Sequence, residues 1–227
     1  MELAQPLNRY FDHAILNSAA TEADIRRACA ETRQHNFFGL AVNPCWNELV
    51  SELLAGSDSV LVAVAGFPLG ATTTAAKIRE ALSGAAVGAV EVDMVANIGW
   101  LAANDTDKAT DEINAIRREL PATVGLKVII EAPLLNENQI RAACAAVIDG
   151  GAQFVKTATG FFGASTPEIA QLVIAEVAGQ LPVKISGGIR TLAQAEEYIK
   201  LGAVRLGSSN SVAIMRELAA RAVAQES

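Results

Sequence analysis

Two periodicities of apolar residues alternate along the chain. Short runs rich in branched and aromatic side chains, DHAIL at 12–16, FFGLAV at 37–42, VLVAVA at 60–65, AVEVDM at 89–94, LKVIIE at 126–131, QFVKTA at 153–158, PVKIS at 182–186 and AVRLG at 203–207, each fit a buried strand. Between them lie segments with helical spacing: TEADIRRACAETRQH, TTAAKIREALSGA, DTDKATDEINAIRREL, NENQIRAACAAVIDG, TPEIAQLVIAEVAG and LAQAEEYIKLG. Several open on Ser, Thr, Asp or Asn and close on Gly, the residues that satisfy orphan backbone groups at helix ends. Eight strands too apolar to face water on either side, alternating with helices over 227 residues, predict an α/β fold, the (β/α)8 TIM barrel. A doubly wound open sheet would alternate in the same way, but no G-x-G-x-x-G follows the first strand. No linker or composition break divides the chain, so residues 1–227 are expected to form a single domain.

The charges inside these strands are the exception to their apolar character. Lysine is rarely buried without a partner, because removing an ammonium from water costs several kcal/mol. Side chains alternate along a strand, so Phe154, Lys156 and Ala158 share one face, as do Lys184 and Ser186, Glu91 and Asp93, and Lys127, Ile129 and Glu131. If that face is the lumen, Lys156, Lys184 and Asp93 meet near the C-terminal ends of strands six, seven and four, where barrel enzymes build their sites. Lys127 and Glu131 then lie between them. A buried ion-pair network that merely fills the barrel is the structural alternative.

Two amines in one dry site suggest imine chemistry. An amine attacks a carbonyl only when unprotonated, and burial beside a second cation lowers its pKa from about 10.4 towards neutrality. Lys156 is the candidate nucleophile, Lys184 the cation that tunes it, and Asp93 the group that moves protons. KISGGIRT and LGSSNS follow strands seven and eight, the two loops from which many barrels form a phosphate site. The candidate phosphate-binding residues are Gly187, Gly188, Ile189, Arg190, Gly207, Ser208 and Ser209, the serines being expected to add hydroxyl donors. Asp12, Lys127, Thr157, Thr159 and Gly160 are the candidate substrate-binding residues.

Composition narrows the partners. A net charge of −7 leaves no basic surplus for nucleic acid or an anionic membrane. MELAQPLNRYFDH lacks the basic and apolar regions of a leader, and no apolar run approaches the roughly 20 residues needed to span a bilayer, so a cytoplasmic protein is expected. Cys29, Cys45 and Cys144 fall outside any C-x-x-C pattern and read as small core or surface residues. With His13 and His35 alone, no metal site is expected, and no cofactor. His13 beside Asp12 forms either an acid–base pair or a packing contact. The Arg26–Arg27 and Arg117–Arg118 pairs are expected on solvated helix faces.

The runs DHAIL, AVNP, GFPLGATTTAAKI, VEVDMVANIG, LKVIIE, FVKTATGF, VKISGGIRT and RLGSS resemble, in the same order, the deoxyribose-phosphate aldolase family over nearly the whole chain. The resemblance implies a metal-free aldolase that reversibly cleaves 2-deoxyribose 5-phosphate to acetaldehyde and glyceraldehyde 3-phosphate. It puts the imine on Lys156, the pKa-perturbing role on Lys184 and the proton shuttle on Asp93, and implies a homodimer or tetramer. The chain departs from the family at Ala14 and Ala158, where hydroxyls are usual, at Ala41 in place of cysteine, at Asn17 in place of lysine, and in a tail, AVAQES, without tyrosine. These departures leave the imine machinery intact. They keep open an aldolase of the same mechanism acting on a less polar or unphosphorylated substrate; a non-catalytic phosphosugar-binding protein is the other class.

Overall fold

A computed structural model describes residues 3–225. Residues 1–2 and 226–227, which end the expected domain and include the close of the tyrosine-free tail, lie outside the described residues. Eight parallel strands close into a barrel in sequence order: β1 (Phe11–Ile15), β2 (Gly39–Val42), β3 (Val60–Ala65), β4 (Glu91–Val95), β5 (Gly125–Ile129), β6 (Phe154–Lys156), β7 (Val183–Ser186) and β8 (Arg205–Ser208). Every strand expected from the apolar runs is present. Most are shorter than the run that announced them.

The helices wrap the outside. Six match the periodic segments: α1 (Glu22–His35), α3 (Thr74–Ala86), α5 (Thr106–Glu119), α6 (Glu137–Asp149), α7 (Pro167–Val177) and α8 (Leu192–Leu201). The structure adds α2 (Asn47–Leu54), the one-turn α4 (Ile98–Ala102) and α9 (Ser211–Gln225). Local chemistry fixes the starts. Thr21 with Asp24, Asn136 with Gln139 and Thr191 with Gln194 form reciprocal capping boxes, and Thr166 caps α7 with Pro167 in its first turn. Arg117 corrects an expectation. Its guanidinium donates to the carbonyls of Leu120, Pro121 and Val124 and to Gln153, closing the C-terminal end of α5, whereas Arg118, Arg26 and Arg27 are solvated as expected.

The apolar core lies between barrel and helices, with Phe11, Ile25, Phe37, Leu40, Met94, Ile113 and Leu126 buried there, together with Cys29 and Cys144. Cys45 is exposed. Among the described residues no helix is long and apolar enough to cross a membrane.

The lumen is charged instead. Parallel register brings its side chains level: Asp93 opposite Lys127, Lys156 opposite Lys184, and Lys184 opposite Arg205. The alternation that was extended past β5 and β6 stops earlier than expected. β5 ends at Ile129, and Glu131 follows in a left-handed conformation (φ 49°). β6 ends at Lys156, so Thr157 and Ala158 are no longer strand residues with assigned faces.

Candidate active site

Lys156 closes β6 and is buried except for the tip of its side chain, which faces a cavity of about 420 Å³ at the C-terminal end of the barrel. Its Nζ donates to Asp93 Oδ2 at 2.7 Å. Lys184 Nζ donates to the same oxygen at 2.6 Å and also to Asp12. On the other side of Asp93, Oδ1 accepts from Lys127 Nζ at 3.0 Å, and Lys127 lies 2.5 Å from Glu91. Arg205 completes the ring, donating to Asp12 at 2.8 Å and Glu91 at 3.0 Å, with its guanidinium 3.3 Å above the Phe38 ring.

This layer holds four cations, Lys127, Lys156, Lys184 and Arg205, against three carboxylates, Asp12, Glu91 and Asp93. One cation is in excess, and the energetics select which. Burial pulls the Lys156 amine down to about 8; Asp93 opposes this, and Lys184 and Lys127 reinforce it. Lys127 is also buried, but Asp93, Glu91 and Asp12 outweigh that burial and hold its amine above the usual range. Burial alone would raise the Asp93 carboxyl, yet three lysines hold it well below the usual carboxylate range. Asp12, likewise buried, is drawn down to about 2 by Lys184, Arg205 and Lys127. The layer is neutral when Lys156 has given up its proton. It therefore supplies a primary amine that gives up its proton far more readily than a free lysine and faces a cavity.

Of the expected residues, Asp12, Lys156, Lys184, Thr159 and Gly160 line the cavity, with Asp93 bonded directly beneath. Two do not line it. Lys127 is sealed under Asp93 as part of the ion network, and the Thr157 hydroxyl is shared with Ser165 Oγ at 2.6 Å and the Ser186 backbone, because Thr157 points away from the lumen next to Lys156. Ala158 is buried and absent from the cavity wall, whereas Ala14 and Ala41, cross-strand neighbours above Asp12, form part of it. Asn17 also lines it. Glu131 accepts the Thr159 N–H with both oxygens, at 3.2 and 3.1 Å, fixing the turn that follows Lys156; burial raises its carboxyl above the usual range. Acid–base pairing of His13 with Asp12 is not what forms. Asp12 faces the lumen, while His13 faces the helix layer, where its ring stacks on Phe37.

The two glycine-bearing loops meet on one side of the cavity, and all seven expected phosphate-binding residues line it. Gly187 (φ 92°) and Gly188 (φ 85°) take a backbone conformation that L side chains rarely adopt, and a β-carbon at Gly188 would come within 2.7 Å of Ala164 Cβ. One role differs from expectation. The Ser208 hydroxyl donates to the Ile189 carbonyl at 2.7 Å and accepts from the Asn210 N–H, so it ties the loops together, and exposed Ser209 is left as the hydroxyl facing the cavity.

Sequence reasoning missed Arg205 and the aromatic wall. Phe67 lies with its ring centroid 6.0 Å from Lys156 Nζ and meets Phe161 edge to face at 5.4 Å. Arg205 had a signal, a cation inside the buried run AVRLG at the same parity as Gly207. Phe67 had none, since it sits in a loop after β3 and reaches Lys156 only through the closed barrel. Among the described residues, no group of three or more His, Cys, Asp or Glu is placed to hold a metal ion.

Comparison with known proteins identifies the family. Residues 8–216 match the model of the DeoC/LacD family aldolases. A deoxyribose-phosphate aldolase from Deinococcus radiodurans is 42% identical over 210 residues, covering 92% of this chain and 95% of its own. A solved aldolase designated QR15 superposes with a TM-score of 0.91 at 34% identity, covering 96% of this chain and 97% of that one. A deoxyribose phosphate aldolase from Aeropyrum pernix, described as a unique tetrameric structure, gives 0.86 at 27% identity, over 93% of this chain and 90% of its own. The chain belongs to the DeoC/LacD aldolase family and is a carbon–carbon lyase of the DeoC type.

Proposed function

We propose that the protein reversibly cleaves 2-deoxy-D-ribose 5-phosphate to acetaldehyde and D-glyceraldehyde 3-phosphate through an imine on Lys156. The observation that carries this is the pair of buried lysines on one carboxylate oxygen at the wall of the cavity, with Lys156 the more open of the two and its amine drawn down to about 8. Unprotonated Lys156 adds to the C1 aldehyde, and the carbinolamine loses water to give the iminium. The C2–C3 bond then breaks, its electron pair moving into the iminium to form an enamine while the C3 hydroxyl gives up its proton and becomes the aldehyde of glyceraldehyde 3-phosphate. Protonation of the enamine at C2 and hydrolysis release acetaldehyde and restore the amine. Asp93 and Lys184, already joined to Lys156 by hydrogen bonds, carry the protons.

The phosphate end is assigned to the loops of Gly187–Arg190 and Gly207–Ser209, where backbone N–H groups, the Ser209 hydroxyl and the Arg190 guanidinium border the cavity. This favours a phosphorylated substrate over an unphosphorylated one. A homo-oligomer belongs to the same proposal, supported by the tetrameric Aeropyrum relative.

Incubation with acetaldehyde and borohydride tests the mechanism. The reduced imine should appear by peptide mapping on Lys156 alone. Folded protein in which Lys156 stays unmodified would overturn the Schiff-base reading.

A further inference from the structure

His13 has no part in the chemistry proposed above, yet it is buried one residue from Asp12 and carries two polar contacts. Its Nε2 lies 3.4 Å from Glu31 Oε2, and its Nδ1 lies 3.1 Å from Ser211 Oγ. Ser211, wholly buried at the start of α9, donates to the Ser208 carbonyl at 2.9 Å. Ser208 in turn holds the other anion loop through its bond to Ile189. A series of polar contacts thus runs from α1, through the 3.4 Å approach of Glu31 to His13 and then through Ser211, into the turn that faces the phosphate end of the cavity.

The Ser211 hydroxyl has one proton and two acceptors within reach, His13 Nδ1 and the Ser208 carbonyl. With a neutral imidazole whose Nε2–H is directed at Glu31, Nδ1 is bare and draws the Ser211 proton away from Ser208. With both ring nitrogens protonated, Nδ1–H donates to Ser211 Oγ and the hydroxyl proton is free to hold the Ser208 carbonyl. We propose that His13 is a positioning residue for the anion site, and that its doubly protonated form fixes the Ser208–Ser209 turn in the anion-binding arrangement.

The surroundings bear on this titration from several sides. Asp24, Arg27 and Glu31 face the ring region from α1, His35 lies on the same helix across Phe37, Arg216 approaches from α9, and the β8 backbone contributes Ser208. Burial lowers the His13 imidazole below its ordinary value, with Glu31 and Ser208 working against that burial and His35 adding to it. Tightening of the anion site is therefore expected on acidification through mildly acidic pH.

The inference rests on the assignment of these loops to phosphate. Inorganic sulfate is the probe, because it stays a dianion throughout mildly acidic pH while a phosphate ester titrates near pH 6. Sulfate should compete with the phosphorylated sugar, with an inhibition constant about fivefold lower at acidic than at neutral pH, the worth of about one hydrogen bond. By reciprocity, saturating sulfate should raise the His13 pKa, read from its imidazole NMR signals, by about 0.7. Ser211→Ala should flatten both responses while leaving turnover of unphosphorylated deoxyribose unchanged. Glu31→Gln should move the inflection to lower pH without abolishing it. Sulfate that competes equally well at all pH values, or Ser211→Ala with the wild-type pH response, would overturn the role of His13 and leave the phosphate assignment standing. Failure of sulfate to compete at any pH would overturn both.

Discussion

The molecule contains two buried lysine–carboxylate pairs of the same length that do different things. Lys77 on α3 meets Glu112 on α5 at 2.7 Å, and Lys156 meets Asp93 at 2.7 Å. Burial lowers both amines, against the pull of the carboxylate in each case. Burial by itself therefore does not make a lysine a nucleophile. Two differences do. The Lys77 side chain is sealed at 0% exposure, whereas that of Lys156 opens by 4% into the cavity. Lys77 has Glu112 as its close carboxylate partner, whereas Lys156 shares Asp93 with Lys184 and Lys127. A matched, closed pair is a structural tie between helices. A carboxylate divided among three amines leaves one able to lose its proton.

The largest expected effect separates the pairs by chemistry. Lys156→Leu should lower cleavage by about 10⁴-fold or more at every pH, and Lys77→Met should keep it within about twofold, since the proposed nucleophile is intact. Comparable activity loss in both folded variants would sink the distinction.

Lys184→Leu tests the count of charges. It leaves three cations against three carboxylates, so Lys156 should hold its proton more firmly. In wild type the amine is protonated below about 8, so kcat/KM should climb with pH up to that value and level off above it. In Lys184→Leu the climb should move to higher pH, with about a 10²-fold deficit at pH 7 that shrinks in alkaline buffer. An unshifted profile with a constant deficit would mean that Lys184 acts in proton transfer alone.

The sealed pair should show itself in stability. Lys77→Met keeps the stem that packs against Gly66 but leaves Glu112 buried without its cation, a loss of about 3–5 kcal/mol, while adding Glu112→Leu should recover most of it. Denaturant titration of the two variants decides. A double variant no more stable than the single one would mean that the pair itself, rather than the stranded charge, holds α3 to α5.

The barrel and most of its lumen charges were legible in sequence because both follow local rules. Period-two alternation puts Glu91 with Asp93 and Lys184 with Ser186, and an apolar run interrupted by lysine is conspicuous within a few residues. What was illegible depends on long-range closure or on where a strand stops. Arg205 reaches Glu91 across 114 positions of sequence, and the Phe67 ring meets Lys156 only through tertiary packing. Ala158 departs from its expected lumen face because β6 ends at Lys156, a boundary no periodicity marks in so short a strand, whereas Thr157 lies one residue from Lys156 and turns its hydroxyl to Ser165 and Ser186, as alternation itself implies. The Ser208 hydroxyl looked like a ligand donor, since sequence does not reveal that Ile189 already takes its proton.

The smallest effect applies the contrast between open and sealed positions to Ala14 and Ala158, the two alanines at which the family resemblance leads one to expect hydroxyls. Ala14 borders the cavity beside Ala41, whereas Ala158 is wholly buried, 3.3 Å from where a Gly187 β-carbon would lie. A hydroxyl at position 14 can meet substrate or ordered water, and a hydrogen bond there contributes about 0.5–1.5 kcal/mol. Ala14→Thr should therefore raise deoxyribose 5-phosphate cleavage by roughly two- to tenfold, at about 1.36 kcal/mol per tenfold. Ala158→Ser adds its hydroxyl outside the cavity and against the glycine loop, where an unmatched polar group costs about 1–3 kcal/mol; turnover should not rise and the melting temperature should fall. Steady-state kinetics and thermal melts of both variants, with unphosphorylated aldehydes as controls, read the outcome. A gain in Ala158→Ser with none in Ala14→Thr would show that access to the cavity is the wrong criterion at this site. A loss for the phosphorylated sugar in Ala14→Thr at unchanged stability would mark the apolar wall of β1 and β2 as built for a different substrate.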